Sequence, residues 1–247
     1  MHKTQFFLDF SREICYISGR KKQKNTTTTN YQQSYSLSAA MSSLSNSASL
    51  SGTPSPTLGS GTSASEPNTP SQDTNVGTPG LRFAQAGSGY CVIGYTGSAI
   101  EITIPATYNG LPVHTIGFST FLGGSQITKV TLPASIRTIE SKAFQYCSSL
   151  KSVTIPTNSV ITIDDEAFSG CTALTSITIP SSVTSIGHYA FYNCTGLTSV
   201  TFENTTGWYL TKDSTATSGT SIAVTDPTTN AANLRGIYAN YYWKRNG

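Results

Sequence analysis

Charge is scarce in this chain. Asp, Glu, Lys and Arg make up 11% of its 247 residues, well below the quarter usual in globular domains. The net charge is +3, and much of the positive excess sits in Arg20, Lys21, Lys22 and Lys24 and in the terminal pair Lys244–Arg245. With no broad basic face to offset phosphates, a nucleic-acid partner is not expected. The Arg20–Lys24 run reads as a solvated turn. Long apolar runs are also missing, and none approaches the roughly 18 residues a membrane helix needs, so no membrane span is expected. In the opening MHKTQFFLDFSREICYISGRKK the apolar stretch is broken by Asp9, Arg12 and Glu13, no small-residue cleavage site follows, and Cys15 does not end a lipoprotein-type run. Taken alone, that opening leaves three expectations: a cytoplasmic chain, export by another route, or a start other than the assigned Met1.

Chemistry-bearing motifs are equally thin. Cys15, Cys91, Cys147, Cys171 and Cys194 are odd in number and widely spaced, which excludes a compact disulfide framework. The histidines His2, His114 and His188 share no common position in any local pattern. Nucleophile-elbow, HExxH and phosphate-loop signatures are absent. Asp164, Asp165 and Glu166 are adjacent along the chain, whereas a carboxylate pair needs two groups facing each other across a cleft. They read as a solvated turn. No catalytic residue, metal site or cofactor is expected.

What the chain has in quantity is hydroxyl. Of the 56 residues 25–80, 24 are Ser or Thr and only Glu66 and Asp73 are charged. Such a segment buries too little apolar area to offset its chain entropy. Residues 25–87 are therefore expected to form a disordered Ser/Thr/Pro-rich linker, as a plain tether or a glycosylated spacer. Before it, FFLDF and ICYIS suggest a small hairpin over residues 1–24, a motif only marginally stable by itself.

From residue 88 the sequence repeats. ITKVTLPASIRTIESKAFQYCSS (127–149), LKSVTIPTNSVITIDDEAFSGCTA (150–173) and LTSITIPSSVTSIGHYAFYNCTG (174–196) align, and LTSVTF opens another unit at Leu197. IEITIPATYNGLPVHTIGFSTFLGG is a degenerate first unit with five extra residues between Pro105 and Val113. One extra residue falls between Pro156 and Val160, in a turn where insertion is cheap. A period in this range with Leu and Ile at fixed offsets predicts a leucine-rich-repeat solenoid. It is a mostly β, right-handed coil of short strands and helical or 3₁₀ turns. Columns Ile139, Ile163, Ile186 and Phe144, Phe168, Phe191 are expected to stack between coils, with Cys147, Cys171 and Cys194 as small buried thiols. A zinc site would need ligands converging on one point rather than forming a line.

The unit L-x-x-I-x-I-P-x-x-V-x-x-I-G-x-x-A-F-x-x-C resembles the BspA-type leucine-rich repeats of bacterial surface proteins, which also occur in parasitic protists. The match runs over about residues 90–206 and departs at Glu140 and Asp164, where Gly is usual, and at Gly124, where Cys is. YCVIGYTGSAIEITIPATYNGLPV resembles the family's N-terminal cap. The tail from Gly207 resembles a C-terminal extension, with Trp208, Tyr209, Tyr241, Tyr242 and Trp243 over the last coil. The domains expected are thus a repeat domain with its N-terminal cap over 88–206 and a C-terminal cap over 207–247.

The resemblance implies a secreted or cell-surface module that binds a protein or glycan without catalysis. The expected contact surface is the concave strand face. One column there is Lys129, Ser152, Ser176 and Ser199; the other is Thr131, Thr154, Thr178 and Thr201. Hydroxyls in register suit hydrogen bonding to sugars or an extended peptide, but Ser and Thr also simply suit a solvent-facing strand. A structural role, as a fibre, stalk or scaffold component docked through residues 1–24, is the alternative.

Overall fold

The computed structural model describes residues 77–246. The hairpin expected over 1–24 and the linker up to residue 76 lie outside the described residues. The linker boundary at 87 is too late. LRFAQA forms a strand, β1 (Leu81–Ala86), that turns back at Gly87 (φ 59°) into β2 (Gly89–Tyr95). Pairing with β2 gives it its place: Phe83 stacks on Tyr108 with ring centroids 4.1 Å apart, and Ala84, opposite Cys91, is buried.

Each complete coil then contributes two short strands, and the first adds a third. The first coil has β3 (Glu101–Thr103), β4 (Thr107–Tyr108) and β5 (Leu111–Ile116). Its five extra residues make β4 and β5 a tight hairpin across Asn109 (φ 49°) and Gly110 (φ 74°), the Asn-Gly pair that a primed turn requires. The later coils supply β6 (Lys129–Thr131) with β7 (Thr138–Ile139), β8 (Ser152–Thr154) with β9 (Thr162–Ile163), and β10 (Ser176–Ile179) with β11 (Ser185–Ile186). β12 (Ser199–Phe202) opens the last unit. Strands β2, β5, β7, β9 and β11 run parallel in one continuous ladder.

The ladder on the other side of the coils is not continuous. β3, β6 and β8 form one sheet and β10 with β12 another. The break falls in the coil that carries the extra residue, whose turn holds Asn158 at φ 58°. The extra residue itself lies in that turn, and β9 keeps its register between β7 and β11. β8 keeps its register with β6 but makes no ladder pairing with β10. Val153 and Ile155 are only half-buried, whereas Val130, Leu132, Ile177 and Ile179 are buried.

The third side of each coil is a series of tight i→i+3 turns, such as Ala143 N–H to Glu140 O and Cys147 N–H to Phe144 O. Left-handed residues interrupt them at two fixed offsets: Ser119, Lys142, Glu166 and Tyr189 at one, Gly123, Tyr146, Gly170 and Asn193 at the other. This keeps alternate N–H groups pointing at the next coil. Phe121, Phe144 and Phe168 donate to the carbonyls of Ala143, Ala167 and Ala190, each at 2.8 Å.

Inside, Phe121, Phe144, Phe168 and Phe191 stack in one column with centroid spacings of 5.0, 5.2 and 5.3 Å. Ile139, Ile163 and Ile186 are fully buried beside them. No coil has a face of its own to bury, so each covers its neighbour. The cysteine column does more than fill space. The thiols of Cys147, Cys171 and Cys194 donate to the carbonyls of Phe121, Phe144 and Phe168 at 3.1, 3.2 and 3.1 Å, one coil back. Burial pushes the Cys147 thiol up to about 12, and hydrogen bonding with Cys194, together with burial, pushes Cys171 up as well. Cys147 and Cys171 are thus protonated, inert thiols. At Gly124, where the first unit lacks its Cys, a Cβ would lie 2.8 Å from Ile127 Cδ1 and 3.1 Å from Phe121 O.

The tail caps the array. β13 (Trp208–Thr211), β14 (Thr220–Ser221) and β15 (Tyr242–Arg245) join the continuous sheet, with β15 antiparallel to both β11 and β13. A short helix, α1 (Pro227–Ala232), packs against β12. Its N-cap Asp226 accepts from Thr229 N–H at 2.7 Å and Pro227 follows it, the arrangement expected of a helix start. Trp208 and Trp243 pack on Phe202 at 4.9 and 6.2 Å. Asn230 Nδ2 donates to the carbonyls of Val200 and Val224 at 3.0 and 2.9 Å, closing the free edge of β12.

Candidate binding surface

Strand alternation sets what this surface presents. In β6 the middle residue, Val130, is buried while Lys129 is exposed and Thr131 half-exposed; in β10, Ile177 is buried between exposed Ser176 and Thr178. Pairing then aligns the columns. Lys129 lies opposite Ser152, and Thr131 opposite Thr154. Ser176 lies opposite Ser199, and Thr178 opposite Thr201. All eight residues expected at the site fall in two columns on one strand face. The break between β8 and β10 divides them into two blocks.

Two residues that head these columns escaped the sequence reading. Glu101 pairs with Lys129, and Thr103 with Thr131. The signal was present in IEITIP, which sits in the same phase as LTSITIP. Glu101 Oε2 lies 3.4 Å from Lys129 Nζ. The pair is well exposed, so it contributes little to stability, but it offsets the charge of the one cation in the two columns. Along a strand the hydroxyl columns are about 7 Å apart, and between paired strands about 4.8 Å. The side-chain hydroxyls of Ser152, Thr154, Ser176, Thr178, Ser199 and Thr201 have no hydrogen-bond partner of their own within the described residues. Each remains able to donate and to accept.

A sequence model of the BspA type leucine rich repeat region matches six copies over residues 95–215. The chain belongs to this family. Among solved structures, a leucine-rich repeat protein from Bacteroides capillosus is 31% identical, with 53% of this chain and 100% of that one covered and a TM-score of 0.46. The T. pallidum leucine rich repeat protein is 27% identical, covering 51% and 64%, at a TM-score of 0.48. A leucine rich cell surface protein from Faecalibacterium prausnitzii is 31% identical, covering 53% and 44%, at 0.39. The chain thus spans under two thirds of the T. pallidum protein and under half of the Faecalibacterium one. No curated protein matches the chain.

In this BspA-type array several ionisable groups away from the strand face brace one coil against the next. The acidic run, expected as a solvated turn, is half-buried and bonded between coils. Asp165 Oδ1 accepts the backbone N–H of His188 at 2.9 Å. Glu166 accepts from Gln145 Nε2 and lies 3.8 Å from Lys142 Nζ. Glu140, buried at the position where other units have Gly117 and Gly187, accepts from Phe118 N–H at 2.8 Å. These partners are about one coil length away along the chain, which is why neighbours in sequence did not reveal them. Among the described residues, no group of three or more His, Cys, Asp and Glu is placed to hold a metal. No helix among them is long and apolar enough to cross a membrane.

Proposed function

We propose that this protein is a non-enzymatic, surface-displayed binding module that engages a protein or glycan through the hydroxyl columns of its strand face. The observation that carries the reading is the register of the columns: six unbonded hydroxyls in paired rows, on a face whose lysine is offset by Glu101. A neutral ligand with regularly spaced hydroxyl or amide groups suits such a face, and its binding should depend little on salt. Leucine-rich-repeat relatives support the binding role, and the description of the Faecalibacterium protein as a cell surface protein supports the location.

The test is binding of the full chain to glycan and matrix-protein arrays, with a Thr154→Lys/Thr178→Lys double variant beside it. The expected result is a loss of at least tenfold in affinity for the captured ligand with an unchanged unfolding midpoint. Unchanged affinity overturns the assignment of this face. Protease treatment of intact source cells, blotted for the repeat domain against a lysis control, tests the location; protection until lysis overturns it.

A further inference from the structure

Where the last complete coil meets the C-terminal cap, one imidazole nitrogen is buried without a partner: Nε2 of His188. The His188 ring lies against Tyr242 with centroids 3.9 Å apart and planes 23° from parallel. Tyr242 is the first residue of β15, the strand that carries the cap onto β11 through Ser185–Lys244 and Ile186–Trp243 pairs. The Tyr242 hydroxyl donates to Asp165 Oδ2 at 3.5 Å, while Asp165 Oδ1 takes the backbone N–H of His188. One carboxylate, one imidazole and one phenol thus join two successive coils to the cap.

A neutral imidazole leaves one ring nitrogen as an acceptor, whereas the protonated ring donates from both. A proton on Nε2 would place a charged donor in a pocket that offers it no acceptor, a state burial strongly disfavours. Burial correspondingly draws His188 below the usual histidine range, against the pull of the Asp165 charge. The other groups facing it do not reverse this. Lys212, in the loop after β13, repels a second positive charge. Tyr189 stands edge-on at 6.2 Å. Glu166, whose N–H donates to His188 O, has its carboxylate held by Gln145 and Lys142.

We infer that this junction is an acid-sensitive latch, in which a proton taken up by His188 is accommodated by swinging Tyr242 aside and peeling β15 from β11. The closed state binds this proton less readily than the open one. Its stability is therefore full above the ordinary histidine value of about 6.5 and falls as pH drops below it. One proton raises the open-to-closed ratio by at most about tenfold per pH unit. Asp165 acts in the opposite sense. Burial holds its carboxyl above the usual range, so its protonation in more acid solution favours the closed state and levels the loss.

The chain's two tryptophans, Trp208 and Trp243, both lie in the cap, so fluorescence reports the cap while far-ultraviolet circular dichroism reports mainly the coils. Urea unfolding of the full chain would be followed by both signals from pH 7.5 to 5.0. The expected result is a fluorescence midpoint that falls progressively below the dichroism midpoint beneath pH 6.5, and coincident midpoints at every pH in His188→Phe. His188→Gln, which also cannot titrate, supplies the same comparison if the Phe variant fails to fold. Coincident wild-type midpoints throughout, or a non-titrating variant that keeps the divergence, would overturn the latch.

Discussion

The coils and the C-terminal cap reach the same burial by different means. In the coils one solution is repeated. Four phenylalanines stack at 5.0–5.3 Å, three thiols reach back one coil each, and backbone bonds recur at fixed offsets. The cap repeats nothing. It covers the open end with two tryptophans, a six-residue helix and an antiparallel strand, each held by contacts found once. A periodic interface shares its burden among equivalent sites, whereas a terminal one depends on a few anchors.

The largest effect that sharpens this contrast is expected at the centre of the stack. Phe168→Ala should destabilise the fold by about 3–5 kcal/mol, measured by urea unfolding. A loss under about 1 kcal/mol would mean that the column does not bear on stability. Trp243→Ala should lose nearly as much, about 3 kcal/mol, but with the loss concentrated at the end: exchange protection should fall first in residues 208–246, with coil amides from Ile116 to Ile163 holding longer. Uniform loss would erase the distinction between coil and cap. Gly187→Ala tests the bond between coils directly. A Cβ there would meet Asp165 Oδ1 at 2.4 Å and Asp165 N at 2.5 Å, and the crowded backbone predicts a loss of about 1–3 kcal/mol. The smallest expected effect is a gain. Gly236 lies in a wide helical turn (Asn233–Ile237) with nothing within 4 Å of an added Cβ. Gly236→Ala should raise stability by about 0.5–1 kcal/mol, and a loss there would show that the cap's turn is less tolerant than it looks.

The same contrast explains what was legible in the sequence. Ile139, Ile163 and Ile186, and Phe144, Phe168 and Phe191, stand in their expected columns and are fully buried, because three aligned copies state each position three times. The strand-face columns followed from the same phase. Trp208 and Trp243 were legible as cover but their geometry was not, since nothing in a single copy says that β15 runs antiparallel beside β11. Bonds between coils were hidden for another reason. Asp165 and His188 are 23 residues apart, and only stacking makes them neighbours. β1 went unread because its partner strand, not its own composition, gives LRFAQA a place.

The uniform spacing of the phenylalanine rings has a consequence for how such a protein changes length. Phe191 ends the stack one step beyond Phe168, at nearly the spacing that separates Phe144 from Phe168. Duplicating one unit would advance the chain by about 5 Å and recreate, one step further on, the surface on which the cap already fits. Unequal recombination between units could then lengthen or shorten the array in whole coils, leaving its terminus unaltered and resizing only the row of hydroxyls it displays.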